Sequence, residues 1–419
     1  MHPNALLELA TELLHRVLQL KHPADGVVSD FFREHRALGQ RERHTLAETT
    51  YTVLRQRPLL QHLAQSGKGE MERRLALLAW QGNEGFLRAA LSESEQEWLK
   101  QVSTVDRGAL PEKLRHNLPE WLADILKSAL GDEFWPLVGS MTAAAPLDLR
   151  VNSFKAKREA VQAAFKAEGI EAAATPYSPL GLRIEGKPAL HKLDVFMRGD
   201  VEVQDEGSQL LALLVGAKRG EMVMDFCAGA GGKTLALGAE MRNTGRLYAF
   251  DTSGHRLASL KPRLARSGLS NVFPAQIAHE RDERIKRLAG KLDRVLVDAP
   301  CSGLGTLRRN PDLKWRQTPQ TIEELQVKQA AILASASRLL KPGGRLVYAT
   351  CSLLDAENEE IAQAFTAEHG ANFKVLPALG ALTRAHVIGA EALVRGDFMR
   401  LWPHRHGTDG FFAALWERR

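Results

Sequence analysis

A chain of 419 residues exceeds the roughly 250 to 300 at which single hydrophobic cores stop growing, so two or three domains are expected. Its 44% hydrophobic and 25% charged content is that of an ordinary globular protein, and it holds no apolar run of membrane-spanning length. Three cysteines exclude a disulfide framework, no Cys/His spacing points to a metal, and a net charge of +6 permits a polyanionic partner without demanding one. The N-terminus lacks the ordered blocks of a secretory signal, so a cytoplasmic location is expected.

Residues 1–138 read as successive amphipathic helices. Leu6, Leu9, Ala10, Leu13, Leu14, Val17 and Leu18 recur at three-to-four-residue spacing with Glu8, Glu12 and Arg16 between them. Trp80, Trp98, Trp121 and Trp135 are expected in the core. Arg33, Arg36, Arg41 and Arg43 form a basic cluster that either touches phosphates or, broken by Glu34 and Glu42, is only a solvated face.

Gly139 to Pro146 is rich in small residues and reads as a linker. Residues 139–200 then read as a small α/β module, with strands near Leu147–Asn152 and Gly181–Ile184 and a helix over Arg158–Glu168. Arg150, Lys155, Lys157 and Arg158 give its early part a basic bias. From 201 to 419 strand and helix alternate, which predicts a mostly parallel sheet covered on both faces. Strands are expected at 222–226, 246–251, 271–277, 293–299 and 344–350, the last after a turn at Lys341-Pro342-Gly343-Gly344; Phe373–Leu376 and Gly410–Leu415 close the sheet.

The first of these strands runs into Asp225-Phe226-Cys227-Ala228-Gly229-Ala230-Gly231-Gly232-Lys233-Thr234. Glycines there let a ligand approach the backbone, and the helix start behind them offers unpaired N–H groups. The phosphate loop G-x-x-x-x-G-K-[ST] would need glycine at Cys227, and the dinucleotide fingerprint G-x-G-x-x-G would need it at Thr234, so a nucleotide triphosphatase and a dinucleotide enzyme are both disfavoured. An acid ends the next strand at Asp251, where such folds hold ribose hydroxyls. An adenosyl cofactor without a pyrophosphate fits, and S-adenosylmethionine leads.

Ligands of open α/β sheets bind beyond the carboxyl ends of the strands. Cys301, in Asp298-Ala299-Pro300-Cys301-Ser302-Gly303, follows the fourth strand, and Cys351, in Ala349-Thr350-Cys351-Ser352, follows the fifth. With the first, fourth and fifth strands adjacent, both thiols and the glycine loop face one cleft. A thiolate beside a methyl donor has a particular use on pyrimidines: addition at C6 of cytosine makes C5 nucleophilic. Asp298 stands ready for N3, Lys233 for the base or for Asp298, and the residues alone do not say which thiol adds. The bland alternative is that both cysteines are small buried residues at strand ends. Cys227 is expected to pack within the loop.

The glycine loop, Asp-Ala-Pro-Cys-Ser-Gly-Leu-Gly and Ala-Thr-Cys-Ser resemble the ordered motifs of the Nop/Sun-type RNA cytosine-5 methyltransferases. So do Leu149–Asn152, Gln204–Gln209, Arg309-Asn310-Pro311-Asp312 and Leu401–Phe412. The similarity covers about residue 145 to the C-terminus. Leu38–Arg43 through Tyr51–Arg55 is similar to the NusB-like helical domain that bacterial members acting on 16S ribosomal RNA carry. The resemblance implies a class I (Rossmann-like) α/β methyltransferase domain behind a small α/β module and an all-α RNA-binding domain, with RNA, ribosomal RNA first and transfer RNA as the alternative, as substrate. It implies Cys351 as nucleophile, Cys301 as the thiol that assists release, and Cys227, Ala228, Gly229, Ala230, Gly231, Gly232, Lys233, Asp251 and Asp298 around the cofactor. Two departures stand out. Gly229-Ala230 replaces the family's Ala-Pro, and Ala275-Gln276-Ile277-Ala278-His279-Glu280 stands where an acid commonly approaches the adenine, so the resemblance assigns no adenine-contact residue. A non-catalytic ribosome-assembly factor on the same fold is the competing class, disfavoured by the intact set Cys301, Cys351, Asp298 and Lys233.

Overall fold

In the computed structural model, which describes residues 1–186 and 188–419, the chain divides into two units that do not follow one another in sequence. Residues 1–144 and 306–318 form the first, and residues 145–305 and 319–419 the second.

The first unit is helical, as its periodicity requires. Helix Pro3–Val17 turns Leu6, Leu7, Ala10, Leu13, Leu14 and Val17 inward, and Gln40–Arg55 adds Leu46, Val53 and Leu54 to the same core. At the start of the latter, the Glu42 carboxylate accepts the Gly39 N–H at 2.7 Å and so occupies a donor with no partner inside the helix. Trp98 is buried, with its indole N–H on Ser66 Oγ at 2.9 Å, whereas Trp80 and Trp121 are half-buried. Trp135, expected in the core, is 40% exposed and lies under the Arg115 guanidinium. Arg33 pairs with Asp30, and Arg43 donates to the Leu38 carbonyl at 3.0 Å, so half of the basic cluster is satisfied locally.

The segment Thr306–Thr318 belongs to this helical core although residues 145–305, which precede it, belong to the other unit. The Trp315 indole donates to the Leu54 carbonyl at 2.7 Å, Lys314 Nζ donates to the Arg55 carbonyl at 2.8 Å, and Asp312 accepts the Ala24 N–H at 3.2 Å. Burial, with Arg55 adding to it, lowers the Lys314 pKa to about 7. Sequence reading could not find this join, because the segment's own motif reads as part of the domain on either side of it.

In the second unit a four-stranded antiparallel sheet comes first. Its strands are β1 (Leu147–Val151), β2 (Ala172–Ala174), β3 (Gly181–Ile184) and β4 (Val201–Val203), in the order β2-β3-β1-β4. Helix Arg158–Ala167 packs Val161 and Phe165 against Leu149, Val151, Leu182 and Ile184. The module therefore runs through 203, not 200, and the first half of the expected linker is helical: helix Phe134–Thr142 takes in Gly139 to Thr142, leaving 143–146 outside regular structure. Arg150 is buried rather than part of a basic surface.

The large sheet holds β5 (Met222–Asp225), β6 (Arg246–Asp251), β7 (Val272–Gln276), β8 (Leu292–Asp298), β9 (Leu340–Thr350), β10 (Phe373–Leu376), β11 (Val394–Arg395), β12 (Phe398–Leu401) and β13 (Phe411–Arg418). Its order is β11-β12-β13-β9-β8-β5-β6-β7, with β10 also on β13. The five strands from β7 to β9 run parallel, and β13 is antiparallel to β9. Two apolar layers sandwich it: Leu210, Leu214, Leu237 and Leu260 on one face, Ile332, Leu333, Phe365 and Trp416 on the other. The Lys341–Gly344 turn does not precede β9 but bulges inside it. Leu292 pairs with Leu340, and pairing resumes at Arg294 with Arg345. The hairpin β11–β12 was not expected, being too short to carry an alternation.

Candidate active site

Strand order decides what can meet. β5, β8 and β9 are adjacent and parallel, so the loops that follow Asp225, Asp298 and Thr350 open at the same sheet edge. The Cys301 and Cys351 sulfurs lie 3.4 Å apart there. The backbone closes round them: Gly305 donates its N–H to the Cys351 carbonyl, and the Gly410 N–H is donated to the Gly305 carbonyl, each at 2.8 Å. A Cβ on Gly305 would come within 2.1 Å of the Gly410 oxygen, so only glycine permits this approach.

The thiols differ in environment. The hydrogen bond with Cys351 comes first and burial second in pushing the Cys301 pKa well above the ordinary thiol value. At neutral pH Cys301 therefore keeps its proton and can donate it toward the Cys351 sulfur. Cys227 is also pushed up, by burial first and then by Asp225, Asp298 and Asp251, and packs against the apolar layer around Phe226 and Tyr348. It has neither the position nor the ionisation of a nucleophile.

Lys233, the second residue of helix Gly232–Glu240, places Nζ 2.7 Å from Asp298 Oδ2. Burial opposes its charge, but the Asp298 ion pair, with Cys351 and Asp225 behind it, raises its pKa overall. Lys233 is thus a fixed cation beside the carboxylate and the thiols. Asp225, part of the loop motif but without a role in the sequence reading, is buried with Oδ2 accepting from Thr234 Oγ1 at 2.7 Å and Oδ1 unpaired. Burial raises its pKa to about 7.

The glycine loop is held from several directions. The Ala228 N–H reaches the Phe250 carbonyl at 3.0 Å, and Gly231 the Ala228 carbonyl at 2.8 Å. Arg263 donates to the Ala230 carbonyl at 2.7 Å and Arg150 to the Gly232 carbonyl at 3.1 Å. Gly231 has φ +82°, and a Cβ there would fall 2.1 Å from Leu260 Cδ1. Asp251 accepts the Gly229 N–H at 2.8 Å and the Ser253 N–H at 2.7 Å, one on each oxygen, so each oxygen keeps a lone pair for a hydroxyl. Space is open above Gly229, where a Cβ would touch nothing within 4 Å. A diol-accepting acid, an open glycine and the start of a helix at Gly232 fit the adenosyl and amino-acid ends of S-adenosylmethionine. Gly229-Ala230 in place of Ala-Pro leaves the loop anchored through Arg263 and Asp251.

The motifs around Asp205 and Asp409–Phe411 meet each other and Lys233, whereas Arg309-Asn310-Pro311-Asp312 belongs to the helical unit. The Asp409 N–H meets the Asp205 carboxylate at 3.2 Å, and Lys233 Nζ lies 5.9 Å from the Phe411 ring centre. Comparison with known proteins identifies the family. The sequence model described as 16S rRNA methyltransferase RsmB/F matches residues 212–417, and that of the RsmF/B-like ferredoxin-like domain matches residues 118–191. Ribosomal RNA small subunit methyltransferase B of Pasteurella multocida is 34% identical over 336 residues, 79% of this chain and 70% of that protein. The chain belongs to this methyltransferase B family. The probable ribosomal RNA small subunit methyltransferase B of Synechocystis sp. is likewise 34% identical, over 79% of this chain and 72% of its own. A methyltransferase homologue protein from Pyrococcus horikoshii of solved structure has TM-score 0.63 at 28% identity, covering 75% of this chain and all of its own. Membership of the family makes this chain an RNA methyltransferase with S-adenosylmethionine as methyl donor. Among the described residues no helix is long and apolar enough to cross a membrane.

Proposed function

We propose that the protein methylates C5 of a cytosine in 16S ribosomal RNA, with Cys351 as nucleophile. The observation that carries this reading is the pair of sulfurs 3.4 Å apart beside the Lys233–Asp298 ion pair. A binding factor has no use for that set. S-adenosylmethionine, when bound, supplies an electrophilic methyl group on sulfur; Gly229 to Lys233 and Asp251 hold it.

The Cys351 thiolate adds to C6 while the Lys233–Asp298 pair delivers a proton at N3, so the electron pair released from the C5–C6 double bond is available at C5 for the methyl group. Cys301, having passed its own proton to solvent water, then takes the C5 proton as a thiolate, the S–C6 bond breaks to release the Cys351 thiolate, and N3 returns its proton to the Lys233–Asp298 pair. The environment of Cys301 supports this order. Its pKa is raised first by Cys351, and when Cys351 is bonded to C6 its sulfur is no longer an anion. That contact is lost once Cys351 is bonded to C6, so Cys301 is a better base in the covalent intermediate than before it. C5 and C6 are bonded neighbours, and a thiol 3.4 Å from the attacking sulfur reaches the adjoining carbon.

The target cytosine must be unpaired or flipped out of its stack to enter, and the helical unit and the 145–203 module select the RNA. The test is incubation with tritiated S-adenosylmethionine and RNA from cells lacking the gene, followed by nucleoside analysis. 5-Methylcytidine in 16S ribosomal RNA is the expected product. Label only in transfer RNA would move the substrate, and cofactor binding without turnover on any RNA would overturn the activity.

A further inference from the structure

Behind the two thiols lies a polar cluster that no step above uses. Glu357 has no exposed surface, and its carboxylate receives four hydrogen bonds. Oε1 accepts the Ser302 N–H at 2.8 Å and Gln329 Nε2 at 3.0 Å. Oε2 accepts the hydroxyls of Ser302 and Ser352, both at 2.5 Å. Ser302 follows Cys301 and Ser352 follows Cys351, so one carboxylate grips the residue next to each thiol. The hydroxyls themselves are 3.2 Å apart.

Nothing in the packing demands this arrangement. A buried carboxylate is costly and persists only where its partners compensate. Four donors saturate it, and each partner is fixed in turn. Gln329 also donates to the Pro300 carbonyl at 3.0 Å, the Tyr348 hydroxyl to the Glu357 carbonyl at 2.6 Å, and Asn358 Nδ2 to the Ser352 carbonyl at 3.1 Å. Arg400 holds the same loop by donating to the Leu353 carbonyl at 2.8 Å. Both thiols lie just beyond the strand ends, so the ladder and the Gly305–Cys351 backbone bond anchor the loops while the side-chain cluster links the residue next to each sulfur.

We infer that Glu357 is a positioning residue of the reaction: through Ser302 and Ser352 it sets the separation and aim of the Cys301 and Cys351 thiols. This rests on the two-thiol reading above. Glutamine at 357 keeps the shape but replaces one acceptor oxygen with an NH2 group, which faces two donors on either side of the carboxyl.

The full-length protein is assayed as wild type, Glu357→Gln, Ser352→Ala and the double variant. Methyl transfer gives kcat and KM, and phenylarsine oxide gives a readout that needs no RNA. Its arsenic bonds to two thiols with loss of one water and no redox change, and it captures a pair rapidly only when both sulfurs are held together. Glu357→Gln is expected to lose about 100-fold in kcat, the scale of a misplaced reacting group. Its KM for S-adenosylmethionine should stay within about two-fold, and arsenical capture should slow by roughly ten-fold or more. The double variant should be no worse than Glu357→Gln, since both act through one path. A kcat near wild type, unchanged capture, or independent multiplication of the two losses overturns the inference. Should Glu357→Gln not accumulate folded, Ser302→Ala with Ser352→Ala removes both hydroxyl donors and is read the same way. Absence of 5-methylcytidine from the wild type defeats the function reading instead, while arsenical capture still judges the geometry.

Discussion

The Cys301 and Cys351 sulfurs face each other across 3.4 Å, and the two thiols follow neighbouring parallel strands. Contact with Cys351 is the first cause that raises the Cys301 pKa, with burial second. A pair this close can act on adjoining carbons of one ring, which two isolated cysteines at strand ends could not.

Cys301→Ser should therefore accumulate a covalent protein–RNA adduct, because addition at C6 proceeds and elimination stalls. Cys351→Ser should form none and lose methyl transfer entirely. Denaturing gel electrophoresis with labelled RNA reads both, and the opposite pattern would exchange the assignments.

Lys233 and Asp298 should fail differently. Asp298→Asn leaves Lys233, only 11% exposed, as a cation without its partner, and should cost about 1–3 kcal/mol of stability. Lys233→Met leaves a carboxylate 29% exposed that water can reach, so its stability cost should be smaller. Both should lower kcat by about 100-fold or more. Denaturant melts and methyl-transfer rates separate the effects.

At the loop, Gly231→Ala forces a side chain to φ +82° and within 2.1 Å of Leu260. Strain of about 1–3 kcal/mol is expected, together with S-adenosylmethionine binding weakened by roughly ten-fold or more. Calorimetric titration with the cofactor alone checks it. An unchanged dissociation constant would show that the loop tolerates the shift.

Lys314 makes the helical unit sensitive to pH. Its folded pKa is about 7, against about 10.4 in an unfolded chain, so between these values the unfolded state binds more protons. Stability of the unit should rise as pH increases from about 7 to about 10, and be independent of this group below that window. Lys314→Met should remove the rise. Melting curves across the range, followed by tryptophan fluorescence, supply the comparison.

The sequence made the parallel sheet, the glycine loop, Asp251 and both thiols legible, because each is a local pattern at a strand end. The neighbouring of β5, β8 and β9 followed from the usual strand order, and the division of labour between Cys301 and Cys351 followed only from family resemblance. What escaped was non-local. Glu357 lies in a run of acidic residues that reads as a solvated surface, yet it is fully buried because Ser302, Ser352 and Gln329 close on it. Arg150 was counted in the basic bias of the small module and instead is buried and reaches the Gly232 carbonyl. Trp135 was assigned to the core by residue type, but its position on helix Phe134–Thr142 faces outward beneath Arg115.

The Thr306–Thr318 segment imposes an order of events on biosynthesis. The helices of residues 1–144 leave the ribosome first, but their core lacks Trp315, and Leu54 and Arg55 lack their donors, until residue 318 has emerged. Most of the parallel sheet from β5 to β8 has by then been synthesised. The part made earliest is thus among the last completed, and a nascent chain arrested before residue 306 should display an unfinished helical unit to proteases and chaperones.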